Sequence, residues 1–221
     1  MIKRILKILL GIFSIPICIS VSLNLYQQIS HINALSYLNQ KYFLIGVVSY
    51  LVVHAVLFKP SYLYIFAHEI MHVVATIISA GRVTSFKVSK QGGSVSTTKS
   101  NFFIALSPYF FPFYTMIVTL LFFVGKFFFK ESVIYNPFLF AVGFTLAFHI
   151  ILTIDFLKIR QTDLLHAGYL FSICLIYVVN LVIIASVFSL LFDGIEFIEF
   201  IKSSTAGSKD IYVAIFNQLF L

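Results

Sequence analysis

Ser61-Tyr62-Leu63-Tyr64-Ile65-Phe66-Ala67-His68-Glu69-Ile70-Met71-His72-Val73-Val74-Ala75-Thr76-Ile77-Ile78-Ser79-Ala80 is the stretch whose reading decides the fold. A lipid-crossing helix needs about 20 mostly apolar residues, and this run supplies them. Pro60 and Ser61 suit a helix start, and Gly81 is placed to stop it. Within the run, His68-Glu69-Ile70-Met71-His72 has the form H-E-x-x-H. Residues four apart share one face of a helix, so the two imidazoles can bind the same ion. Glu69 lies beside that face and can take a proton from a water at the ion. Zinc with three protein ligands and one water is the usual hydrolytic arrangement, and the ion brings that water's pKa to ~7. The bland alternative is a structural cluster of buried polar groups. It is costly here, because a charged side chain inside a membrane helix costs at least ~2.5–3.5 kcal/mol.

The rest of the chain supports a lipid solvent. Of 221 residues, 60% are hydrophobic and 10% charged. A soluble domain averages ~45–50% apolar and ~25% charged residues. Six candidate spans can be counted, at roughly 5–24, 42–58, 61–80, 102–125, 137–157 and 164–192. The first follows a basic start and resembles a signal peptide, but it lacks a small-x-small cleavage site and reads as a retained span. Pro108 and Pro112 interrupt the fourth. Between the third and fourth, Val83, Phe86 and Val88 follow no helical stripe, and Gly92-Gly93 is a turn signal, so a short β-hairpin is expected. After Asp193, residues 203–209 read as a flexible loop and 210–221 as an interfacial helix.

The expected fold is therefore all-α: a polytopic bundle of about six transmembrane helices, with a β-hairpin between the H-E-x-x-H helix and the next span. The chain reads as a single integral-membrane domain over 1–221. Two spans lie in 1–60, the motif-bearing core in 61–192 and a polar tail in 193–221. The net charge of +7 does not indicate nucleic acid, because the basic residues are spread through short loops. The lipid bilayer is the expected partner, in a multi-pass protein of the cell membrane. Lys3, Arg4 and Lys7 favour a cytoplasmic N-terminus. Cys18 and Cys174 lie in apolar runs and suggest no disulfide framework.

A metal site needs a third ligand. Asp155 and Asp163 are the serious candidates, and chemistry alone leaves them even. Asp163 also suits a helix N-cap. Glu131 beside Lys130 reads as a surface pair, and the acids of the tail as solvated. His149 can be a ligand, a neighbour of one, or a helix–helix contact. His54 is a possible neighbour of the site, whereas His31 and His166 read as interfacial.

Several pieces together resemble the site-2 protease family of intramembrane zinc metallopeptidases. They are His68-Glu69-Ile70-Met71-His72 with Ala75 and Gly81-Arg82-Val83, the Gly92-Gly93-Ser94-Val95 hairpin, Ala105 to Pro112, and Gln161-Thr162-Asp163. They cover roughly residues 60–190. The resemblance implies Zn2+ held by His68, His72 and Asp163, with Glu69 as catalytic base, acting on peptide bonds of membrane-embedded or membrane-proximal protein substrates. Thr162-Asp163-Leu164-Leu165-His166-Ala167-Gly168 departs from the family's Asn and Pro upstream of Leu-Asp-Gly, which implies a divergent branch. The competing expectation is a non-proteolytic membrane protein. It would bind metal or haem through His68, His72 and His149, act as an ion relay, or be an inactive scaffold.

The simple-span reading carries a geometric tension. His72 would lie roughly 18 Å along its helix, near mid-membrane, at 1.5 Å per residue. Asp163 would lie at the opposite surface. The two meet only if residues 158–168 dip inward or the proline-broken 102–112 stretch is re-entrant; irregular backbone at depth requires a wet cavity.

Overall fold

A computed structural model describes residues 2–32, 40–57, 59–159, 161–192 and 194–221. The helices are α1 (Ile2–Phe13), α2 (Ile15–Ser30), α3 (Lys41–Val52, continued by a π turn over Val53–Leu57), α4 (Ser61–Ile78), α5 (Phe102–Phe110), α6 (Phe113–Gly125), α7 (Glu131–Leu157), α8 (Asp163–Ala167), α9 (Tyr169–Leu191) and α10 (Phe197–Phe220). Strands β1 (Val83–Ser89) and β2 (Gly92–Thr97) form an antiparallel pair between α4 and α5.

Among the described residues, four helical stretches are long and apolar enough to cross a membrane: Ile5–Ser30, Ser61–Ile78, Glu131–Leu157 and Tyr169–Leu191. A fifth results if the bent pair α5 and α6 is one span. The expected count of six is not reached. The apolar helix Lys41–Val56 is shorter than the other four. The fourth expected span is broken by 67° between Phe110 and Phe113. Pro112 forces the break, because the residue before a proline is pushed out of helical geometry, and Phe111 is extended at φ −100°, ψ 119°. The expected 164–192 span also divides, at Gly168, whose φ of +105° no ordinary L-residue adopts easily.

The chain forms two compact units, Met1–Asn39 with Ala167–Leu221, and Gln40–His166. In the first, α2 and α10 meet through small polar residues. Ser20 Oγ donates to the Ser204 carbonyl at 2.8 Å, and a side chain on Gly207 would collide with Ser20 Oγ at 2.5 Å. Val21, Leu25, Ala185 and Phe200 close the core beside them. Residues 203–209, expected as a flexible loop, are thus the middle of α10. Their low helix propensity is overridden because small residues let two backbones approach closely.

In the second unit, α3 packs on α7 by the same device. A Cβ on Gly46 would lie 2.1 Å from the Phe140 carbonyl oxygen, and one on Gly143 would lie 2.1 Å from that of Phe43. Tyr50, Tyr64, Phe148 and Leu152 are buried together beside this contact. Helix α5 lies along α4, tied by Ser107 Oγ donating to the Met71 carbonyl at 3.2 Å. Helix α4 ends in a Schellman arrangement. The Gly81 N–H bonds the Thr76 carbonyl at 2.8 Å and the Ala80 N–H bonds that of Ile77 at 2.9 Å. The left-handed residue is Ala80, at φ 54°, not the glycine expected to stop the helix. Gly81 is needed for a different reason, since a Cβ there would press on Thr76 Cγ2 at 2.9 Å.

Gly143→Ala should lower the thermal stability of the detergent-solubilised protein by about 1–3 kcal/mol through overpacking. Gly125→Ala, whose added methyl would meet only Ile134 Cδ1 at 3.5 Å, should be near neutral. Equal unfolding temperatures for the two variants would contradict this account of the α3–α7 contact.

Candidate metal centre

His68 and His72 project from α4 one turn apart, with ring centroids 4.9 Å from each other. The chain leaves α7 at Leu157 and returns to them. Asp155 pairs with Lys59, just ahead of α4, at 2.7 Å. Asp163 Oδ2, the first residue of α8, lies 3.5 Å from His68 Nε2 and 3.6 Å from His72 Nε2. Asp155 thus stands at the start of α4 and Asp163 opposite its middle. The bend between α5 and α6 is present as well.

The distances can be set against two explanations of the cluster, hydrogen bonds and a metal site. N–H···O hydrogen bonds run ~2.7–3.2 Å, and both contacts are longer. Zinc lies ~2.0–2.2 Å from nitrogen and oxygen ligands, so the edge of a tetrahedron around it is about 3.4 Å. The two measured edges are within a few tenths of an ångström of that figure. All three ligand atoms lie within 4.8 Å of one another. Among the described residues, His68, His72 and Asp163 are the group of ligand-type side chains that could hold a metal ion.

Hydrogen bonding orients His72. Its Nδ1 lies 2.8 Å from the Ile104 carbonyl oxygen. A carbonyl only accepts, so Nδ1 carries the proton, and in the neutral ring Nε2 presents its lone pair to Asp163. That carbonyl is available because of Pro108. In a helix the N–H of residue 108 would bond Ile104, and proline has no N–H. Ser107 Oγ lies 3.2 Å from the same oxygen and shares its one proton between it and the Met71 carbonyl. The proline inside α5 thus leaves a carbonyl for the histidine to use.

Asp163 is steadied by Tyr109, a fully buried side chain whose hydroxyl donates to Oδ2 at 3.2 Å. Burial raises the Asp163 carboxyl pKa, but the two imidazoles facing it outweigh burial and hold it well below the ordinary carboxylate range. At neutral pH the carboxylate is ionised. The carboxylate oxygen and the two imidazole Nε2 atoms face one point, where a cation could take the place of a proton they share.

Glu69 is only 6% exposed. It lies under the hairpin, where a Cβ on Gly93 would come within 2.4 Å of its Cγ and 2.6 Å of its Oε1. The expected turn at Gly92-Gly93 is displaced. The reversal falls at Lys90-Gln91, with Ser89 paired to Gly92. Gly93 lies within β2, and its missing side chain is the space Glu69 occupies. A cavity of about 470 Å³ opens over His68, Glu69, His72 and Asp163, walled by Ser94, Val95 and Thr97 of β2 and by Gln161 and Thr162.

The other sequence candidates lie elsewhere. Asp155 binds Lys59 and Lys158, each at 2.7 Å, and His54 Nε2 at 3.3 Å, so the structure does not bring it to the histidine pair. His54 accordingly neighbours Asp155 and not the site. Glu131 pairs with Lys126 at 3.0 Å and not with Lys130. His31 caps the end of α2. The side chain of His166, like residues Arg160 and Asp193, lies outside the described residues. Tyr109, Gly93 and the role of Pro108 escaped the sequence reading. Only Pro108 left a legible trace there, as a proline four residues beyond a carbonyl. A comparison of the chain with protein-family models, with curated proteins and with solved structures finds no match.

Pro108→Ala restores an N–H that competes with His72 for the Ile104 carbonyl. Zinc affinity, read by chelator competition, should fall ~10–100-fold, as for loss of other supports of metal-bound histidines. The helix itself should not suffer, since a proline in a helix interior costs about 3 kcal/mol. Unchanged affinity would show that the freed carbonyl does not orient His72.

Proposed function

We propose that the chain is an intramembrane zinc metalloendopeptidase, a divergent relative of the site-2 proteases, that cleaves membrane-embedded or membrane-proximal protein substrates. The observation that carries this is the convergence of His68, His72 and Asp163 at the edge lengths of a tetrahedral zinc site, with Glu69 beside them on the same helix. Four apolar helices of spanning length support placement in a bilayer, and the cell membrane is the location we assign.

His68, His72 and Asp163 would hold the ion at the cavity. Zinc held there would supply polarisation of the scissile carbonyl and acidification of the attacking water. Glu69 would take a proton from that water and pass it to the leaving amine. Burial between α4 and Gly93 keeps its carboxylate at the cavity wall. Strand β2 is paired on one side by β1 and lines the cavity with Ser94, Val95 and Thr97. An extended substrate can add to it as a further strand, with main-chain hydrogen bonds giving affinity. The substrate must be unwound to be cut, because a helical peptide bond is shielded.

Purified protein should carry about one zinc per chain. Glu69→Gln should keep the metal and lose cleavage of a membrane-anchored reporter by about 10²–10⁴-fold, the usual contribution of a general base. His72→Ala and Asp163→Ala should lose the metal, while Asp155→Ala should keep it. Undiminished cleavage by Glu69→Gln would remove the mechanism.

Gly93→Ala places a methyl where the Glu69 side chain now lies. It should bind zinc as the wild type does and cleave as poorly as Glu69→Gln. Wild-type cleavage by that variant would refute the role given to the hairpin.

A further inference from the structure

Helix α10 runs antiparallel to α2 along most of that helix. Gln28 Nε2 donates to the Glu196 carbonyl at 3.4 Å, Ser20 Oγ to the Ser204 carbonyl at 2.8 Å, and the Tyr212 hydroxyl to that of Phe13. Helix α2 belongs to the Ile5–Ser30 stretch of spanning length. Helix α10 therefore stands upright beside a membrane helix and does not lie flat on the bilayer surface. Its flank toward α2 is closed by Phe200, Ser204 and Ser208, all buried.

The opposite face carries charge. Glu199, Lys202, Lys209 and Asp210 are all exposed. Glu199 accepts from Ser203 of its own helix at 3.0 Å, and none of the four makes an ion pair among the described residues. Ionised side chains at membrane depth are costly toward lipid, and they pair with one another or face a bundle interior.

The two signs are sorted to the two edges of this face. At 3.6 residues per turn, Lys202 and Lys209 fall on one edge and Glu199 and Asp210 on the other, roughly 80° around the helix, with Ala206 and Val213 between them. When two identical helices pack in the same direction about a two-fold axis, each edge of one meets the opposite edge of the other. In an antiparallel pair each edge meets its own kind. A parallel pair of α10 helices thus sets lysines against acids on both sides, whereas an antiparallel pair sets like charges together. Along the axis Lys209 and Asp210 differ by about 1.5 Å and Lys202 and Glu199 by about 4.5 Å, within reach of such side chains. The small Ala206 between the edges lets the two backbones approach.

We propose that this face of α10 is the interface between two copies of the chain, related by a two-fold axis along the membrane normal. Lys209 pairs with the partner's Asp210, and Lys202 with the partner's Glu199. Copies inserted with the same topology present α10 in the same direction, which is the sense the charges select.

The test uses the full chain with Cys18→Ala and Cys174→Ala, in native membranes. Ala206→Cys and Val213→Cys, oxidised with copper phenanthroline, should each give a disulfide-linked dimer of the chain. Leu23→Cys, on the exposed apolar face of α2, should stay monomeric. No dimer at Ala206→Cys, linkage only to a different protein, or an equal yield at Leu23→Cys overturns the interface. Linkage at Ala206→Cys without linkage at Val213→Cys overturns its parallel sense. Dimer affinity in lipid bilayers is then read by energy transfer between labelled chains. Lys202→Glu with Lys209→Glu, and Glu199→Lys with Asp210→Lys, should each weaken self-association at least ~10-fold by setting like charges edge to edge. An equimolar mixture of the two variants should recover the wild-type affinity as a mixed dimer. Wild-type self-association in either variant overturns the assignment. So does the absence of recovery from two variants that unfold at the wild-type temperature. If charge reversal prevents folding, Lys202→Gln with Lys209→Gln should still weaken self-association, and undiminished association there overturns the proposal equally.

Discussion

The Asp163 carboxylate stands 3.5 Å from the His68 imidazole and 3.6 Å from that of His72, where α4 meets the start of α8. Partly buried at the edge of the cavity, the three groups interact more strongly than they would in open water. Much of the second unit serves to impose this arrangement. Tyr109 pins the carboxylate from one side and the Ile104 carbonyl pins His72 from the other. Helix α5 supplies both. A cation at the centre would be met by the carboxylate and by the two imidazole nitrogens that face it, and this is the physical basis of the metal-centre reading.

The residues that break regular structure are the ones that make this arrangement possible. Pro112 bends α5 away from α6, which lets a short helix lie along α4 at the level of His72. Pro108 frees a carbonyl. Gly93 vacates the space that the Glu69 side chain fills, and Gly46 with Gly143 brings α3 against α7 until backbones touch. A uniform bundle of straight spans would satisfy its own hydrogen bonds and leave nothing to hold a histidine or admit a glutamate.

Asp155 illustrates why local chemistry did not separate the two aspartates. Both stand near the end of an apolar stretch with basic neighbours. Lys59 and Lys158 neutralise Asp155 at the start of α4, whereas Asp163 is carried back along the helix to the histidines. The choice depends on the path of the chain between residues 157 and 163, and no periodicity encodes that path. Likewise, Ser203 to Lys209 have the composition of a loop. They are helical because Ser204 and Gly207 fit against Ser20 of α2.

What the linear chain settled is what depends on near neighbours. Apolar runs of spanning length require helices, the spacing of His68 and His72 puts two imidazoles on one face, and β-branched residues around glycines make a hairpin. Each follows from backbone geometry within a turn or two. What only the folded chain settled is which aspartate completes the cluster, where the hairpin reverses, that a tyrosine and a freed carbonyl support the site, and how many helices are long enough to span. These depend on contacts between residues tens of positions apart, where packing and loop closure, not local propensity, select the outcome.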